Sequence, residues 1–136
     1  VGIDKAARKK SGKIVGPFMY FTHRMMESAA YIGLSAHAIA MLNEFAMLYN
    51  GRNNGSLIGS MAHFEKRGWN SRDMVQKARK ELLDAGFLFQ TVQGHRPNKA
   101  SHFAVTWQPL DNPVAPLEYF DAGVPKAFIP HEYEKK

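Results

Sequence analysis

The sequence predicts an α+β fold in which helices come first and a two-stranded β-hairpin follows. Three observations predict it. Apolar residues recur at helical spacing in "AHAIAMLNEFAMLYN" and again in "RDMVQKARKELLDAG". The period then switches to two in "HFAVTWQ", which follows the aromatic and β-branched "FLFQTVQ". Glycine, asparagine and proline gather at the joins, in "NGRNNG" and "GHRPNKAS".

The elements follow in order. Residues 1–16 hold few large apolar side chains and several Gly and Lys, and read as a basic flexible arm. The domain proper runs over 17–108. Phe18, Tyr20 and Phe21 are apolar anchors, and Met25, Met26, Ala29 and Ala30 suit a short helix. Ser35 is placed to cap a core helix on which Ala38, Leu42, Phe45 and Tyr49 share a face, with Met41 and Leu48 beside them. Asn50–Gly55 ends it, because Gly and Asn tolerate positive φ. "SLIGS" suits a brief strand. Ser60 precedes a short helix bearing Met61 and Phe64, which Gly68 stops. Trp69 packs the connection. Asn70 or Ser71 caps the next helix, which reaches about Ala85. Its stripe is Met74, Ala78 and Leu82 at i, i+4 and i+8, flanked by Val75 and Leu83, with Gly86 as the C′ residue.

Phe87–Gln93 and His102–Gln108 then read as antiparallel strands. In the second, Phe103, Val105 and Trp107 take one face and His102, Ala104 and Thr106 the other. Residues 109–136 carry Pro109, Pro113, Pro116, Pro125 and Pro130, which argue against regular structure. Leu117, Tyr119, Phe120, Phe128 and Ile129 suit docking, on the domain or on a partner. The order of helix, helix, short strand, helix, tight turn, helix and hairpin is that of a winged helix-turn-helix.

Composition narrows the function. The chain has 136 residues, about one domain, and is 45% hydrophobic, enough for one core. It has no cysteine, which excludes a disulfide scaffold and a thiolate metal site and fits a reducing compartment. No apolar run approaches ~18 residues, so no membrane span is expected. The N-terminal segment is basic but lacks the apolar core of a signal peptide. The net charge of +6 favours an anionic partner. Five Lys/Arg stand against one acid in residues 1–13, and nine against four in residues 51–107, while the tail is acidic to neutral.

The candidate site lies on the helix after Trp69. Arg72, Asp73 and Gln76 fall outward near its N-terminus, the end that meets base edges in helix-turn-helix proteins. Arg suits guanine and Gln suits adenine through paired hydrogen bonds. Lys77, Arg79 and Lys80 have the reach and charge for phosphates, and Asn70 and Ser71 can offer amides at the helix start. Arg52 and Asn53, with Asn54 next to them, are further backbone candidates. His95, Arg96, Asn98 and Lys99 cluster in the hairpin loop, with Pro97 stiffening its tip. Each feature also has a plainer reading. A mixed-charge helix face is commonly only solvated, Trp69 and Trp107 suit a core, and the methionines fill core gaps. The coincidence of a basic helix face, a basic wing tip and a basic arm lifts the DNA reading.

The sequence shows no HExxH or close ligand pairing, no GxSxG and no "GxxxxGK[ST]" loop. The expectation is therefore a non-enzyme with no cofactor and no metal.

"LSAHAIAMLNEFAMLYNGRNNG", "RGWNSRDMVQKARKELLDAGFLFQTVQG" and "RPNKASHFAVTWQPLD" resemble helix-turn-helix proteins of bacterial mobile elements. These include the N-terminal domains of phage replication proteins and plasmid initiators. The resemblance spans roughly residues 17–111. It implies a winged helix whose major-groove helix is Arg72–Asp84 and whose wing is Gly94–Ser101. It also implies a double-stranded DNA partner, a cytoplasmic, nucleoid-associated place in a bacterial host, and a task in replication-origin recognition or transcriptional control. Initiators often carry further domains, so a small stand-alone binder or a piece of a longer protein is expected. A single winged helix reads few base pairs, which points to a homodimer or repeated sites. The rival expectation is a protein-interaction module that docks a partner through its C-terminal tail.

Overall fold

In the computed structural model, residues 12–112 and 120–136 are described. The arm residues Lys5, Arg8, Lys9 and Lys10, and Leu117 and Tyr119 of the tail, lie outside them. The architecture is α+β, with helices packed against a two-stranded antiparallel sheet.

Two four-residue helices open the fold, α1 (His23–Met26) and α2 (Ala29–Ile32). One short helix was expected here. Thr22 and Ser28 each cap a separate turn through their side-chain oxygens, so the chain starts twice. Helix α3 (Ala36–Leu48) is the central core helix. Ser35 caps it by accepting from the Ala38 amide at 3.1 Å. Ala38, Met41, Leu42, Phe45 and Ala46 are buried on it, and Tyr49 is its half-buried C-cap. The following turn bends at Gly51 and Gly55. Within it Asn53 pairs with Asn50 and with the Leu48 carbonyl.

The expected strand in "SLIGS" reduces to one bridge. Leu57 exchanges both backbone hydrogen bonds with Phe103, at 3.0 and 2.9 Å. Helix α4 (Met61–Lys66), capped by Ser60, buries Phe64 against Phe45 and Trp69. Residues 67–71 lead to α5 (Arg72–Asp84). Ser71 caps α5, accepting from the Met74 amide.

The buried stripe of α5 is Val75, Ala78 and Leu82, not Met74, Ala78 and Leu82. Met74 remains 37% exposed while Val75 is 3% exposed. The spacing i, i+3, i+7 fits a helical face as well as i, i+4, i+8 does, and contact with α3 selects the former.

Gly86 closes the helix at φ +83. A Cβ there would also lie 2.8 Å from the Tyr133 amide nitrogen, so both backbone angle and space require glycine.

Strands β1 (Leu88–Val92) and β2 (His102–Val105) pair with Leu88 opposite Val105 and Val92 opposite His102. The register slips at Thr91, whose side chain turns inward to the Gly55 carbonyl. Both faces of β2, that of Phe103 and Val105 and that of His102 and Ala104, are buried. The C-terminal segment explains this. Asp121 donates its amide to the Thr91 carbonyl, and the His131 amide to that of Thr106. Phe128 meets Phe89 edge-on at 5.6 Å, and Tyr133 stacks on Phe87 at 4.8 Å. That segment also forms a helical turn, α6 (Val124–Ala127), and a 3₁₀ turn at Glu132–Lys135. Its described part thus docks on the domain and carries regular structure despite its prolines.

Candidate functional site

Arg72, Asp73, Gln76, Lys77 and Lys80 all lie exposed on the outer face of α5. Lys77 pairs with Asp73 at 3.1 Å and Lys80 with Asp84 at 2.8 Å, both at i,i+4 on the surface. Such pairs contribute about 0.3–0.5 kcal/mol and exchange readily with solvent or another anion. Arg72 and Gln76 have no hydrogen-bond or ion-pair partner among the described residues. They occupy the first turn and a half of a helix whose N-terminus carries free amides and a positive dipole end.

Several contacts fix this helix in place. Glu81 accepts from both the amide and the hydroxyl of Ser35, at 2.7 and 2.8 Å, tying the last turn of α5 to the start of α3. Arg79 turns inward. Its guanidinium donates to the Gly59 carbonyl at 3.3 Å and lies 5.3 Å from the centroid of the Phe103 ring. Burial pulls its pKa below the usual arginine value. Arg79 was expected among the outward cations, and the true phase of α5 places it at the edge of the core.

The turn before α5 carries a second anchor. Arg67 binds Glu44 of α3 at 2.9 Å, and that hydrogen bond raises the Arg67 pKa. Only 11% of the Glu44 side chain is exposed. Between this pair and the α5 N-terminus lies a concavity of about 460 Å³, lined among others by His37, Trp69, Asn70 and Met74. Asn70 is exposed at its rim, and Ser71 spends its hydroxyl on the cap. Lys66, exposed in the last turn of α4, extends the cationic surface. The run "EKRG" carries that signal in the sequence.

The hairpin loop forms a closed tip. His95 and Lys99 exchange backbone hydrogen bonds at 2.8 and 2.9 Å, and the Gly94 amide donates to the Ser101 hydroxyl. His95, Arg96, Asn98 and Lys99 all project into solvent. Arg52 is exposed on the "NGRNNG" turn, whereas Asn53 is half-buried and bonded within that turn. Asn54, the third polar residue there, is fully buried. Its amide donates to the carbonyls of Val105, Gln108 and Pro109, and its oxygen accepts from the Val105 amide. Asn54 is a structural clamp on β2.

Among the described residues no group of three His, Asp or Glu could hold a metal ion, and no helix is long and apolar enough to cross a membrane. The chain matches no family model, no curated protein and no solved structure.

Proposed function

We propose that the chain is a non-enzymatic double-stranded DNA-binding protein that works as a winged helix-turn-helix. In this reading α4 supports, α5 enters the major groove, and the loop between β1 and β2 is the wing. The observation that carries it is the pair Arg72 and Gln76. Both are exposed and unpaired among the described residues, one turn apart at the start of a Ser71-capped helix. Their donors and acceptors suit base edges, and the amides beside them suit a phosphate. Lys77, Lys80, Arg96 and Lys99 supply phosphate contacts, and Lys66 and Arg52 add to them. Asp73 balances Lys77 in the free protein and can accept from a cytosine amine. Arg79 acts by holding the helix against Gly59 and Phe103, not by touching DNA. The task fits origin recognition or transcriptional control in a phage, plasmid or other mobile element, in the bacterial cytoplasm.

The test is selection from a random duplex library, run in parallel with Arg72→Ala. The expected result is a short motif that blurs at one position in the variant, with a loss of ~1–3 kcal/mol on the best site. Unchanged affinity and unchanged preference would remove α5 from the groove. The rival reading, a protein-interaction module, draws less support from the tail than the sequence suggested. Phe128 and Tyr133 are already buried on the domain.

A further inference from the structure

One run of the surface plays no part in the DNA reading. From Ile14 to Phe21 the chain carries no charged residue and forms neither helix nor strand. Ile14 is 74% exposed, Val15 48%, Phe18 72%, Met19 45% and Tyr20 66%. The second half of this strap is seated on the domain. Phe21 meets Trp107 edge-on at 5.7 Å, and residues 17–20 line a concavity of about 230 Å³ with Ala46, Tyr49 and Trp107.

The geometry points to a second copy of this chain as the occupant. We infer that two protomers pack Ile14–Tyr20 against the same residues of each other around a two-fold axis. Three arguments select this partner. The first is area. With about 200 Å² for a fully exposed large apolar side chain, the five exposed strap residues leave roughly 600 Å² per copy, about 1,200 Å² over both copies, the lower end of the range for a stable interface. The second is self-complementarity. A two-fold interface sets a patch against itself, which a charge-free patch tolerates on a chain of net charge +6. The third is composition, since aromatic residues and Met are enriched in interface cores. The pairing needs no DNA, so it stands or falls separately from the proposed function.

The test is sedimentation velocity of the full chain without DNA at about 50 μM, within reach of a standard-size interface. The expected result is a dimer for the wild type and for Met74→Ser, which alters an exposed apolar residue off the strap. The Phe18→Ser/Tyr20→Ser double variant should be monomeric with an unchanged circular dichroism spectrum. Phe18→Ser alone guards against misfolding of the double variant, and should raise the dimer dissociation constant at least tenfold at unchanged Tm. A monomeric wild type overturns the inference. So does a dimer that ignores these substitutions, which would place the contact elsewhere.

Discussion

Asn54→Ala tests the clamp that joins the "NGRNNG" turn to β2. The amide of Asn54 serves three carbonyls at 2.9–3.1 Å, and its oxygen receives the Val105 amide at 2.8 Å. Two hydrogens shared over three acceptors are worth about two net bonds, or roughly 2 kcal/mol. The Val105 amide adds a penalty of similar size. Val105 is fully buried, and an orphaned donor there costs about 1–3 kcal/mol more. The expected loss is therefore about 4 kcal/mol. A chain of 136 residues is stable by roughly 7–20 kcal/mol, so the variant still folds. Urea unfolding followed by circular dichroism reads the loss, and an m-value of about 2 kcal/mol/M moves the midpoint down by about 2 M. Asn53→Ala, in the same turn but half-buried, should cost about 1 kcal/mol. If Asn54→Ala cost no more than Asn53→Ala, the network would not be holding the strand and the reasoning would fail. Asn54→Asp supplies the electrostatic arm, since it sets a carboxylate against three carbonyl oxygens. That raises the folded-state pKa of the new carboxyl, so the variant should be most stable at acid pH and weaken as pH rises through that pKa.

Other outcomes follow from the same geometry. Lys80→Ala should weaken binding to all duplexes alike and lower the log K against log salt slope by about 1, whereas Arg79→Met should leave the slope unchanged and lower urea stability by ~1–3 kcal/mol. Gly86→Ala should cost upwards of about 2 kcal/mol by thermal unfolding, because it meets both a positive φ and the Tyr133 backbone. Tyr133 has its pKa raised, first by burial and then by Glu134, so its contribution is complete below the ordinary tyrosine range and is lost as pH rises through the higher folded value. Absorbance titration should show late phenolate formation that moves to ordinary pH in urea.

Much of the scaffold was legible in the sequence. Ser35, Ser60 and Ser71 cap the three principal helices, and Gly86 ends α5, because cap chemistry is local and needs no tertiary information. The hairpin was legible for the same reason. The phase of α5 was not. Met74 and Val75 are adjacent, equally apolar, and separated only by which one faces α3. The inward turn of Arg79 follows from that one-residue rotation. Asn54 was read as a surface residue because asparagines in a glycine-rich turn commonly are, and its acceptors lie some fifty residues away in sequence. The burial of both faces of β2 required knowing that Phe128 and Tyr133 return to the sheet. The Arg67–Glu44 pair joins two helices across twenty-three positions, a coupling that no local pattern announces.

The stacking of Tyr133 on Phe87 carries a consequence for synthesis. Phe87 immediately follows the α5 stop, so the far end of that helix is completed by a residue made much later. A nascent chain that has extruded only the hairpin exposes Phe87 and one face of β2 to solvent. Its last cooperative step waits for position 133 to clear the exit tunnel, an interval set by elongation at about 5–20 residues per second. During that interval the bare sheet face is a substrate for chaperones, so a premature stop before Tyr133 should yield a chain that is degraded instead of a shorter working domain.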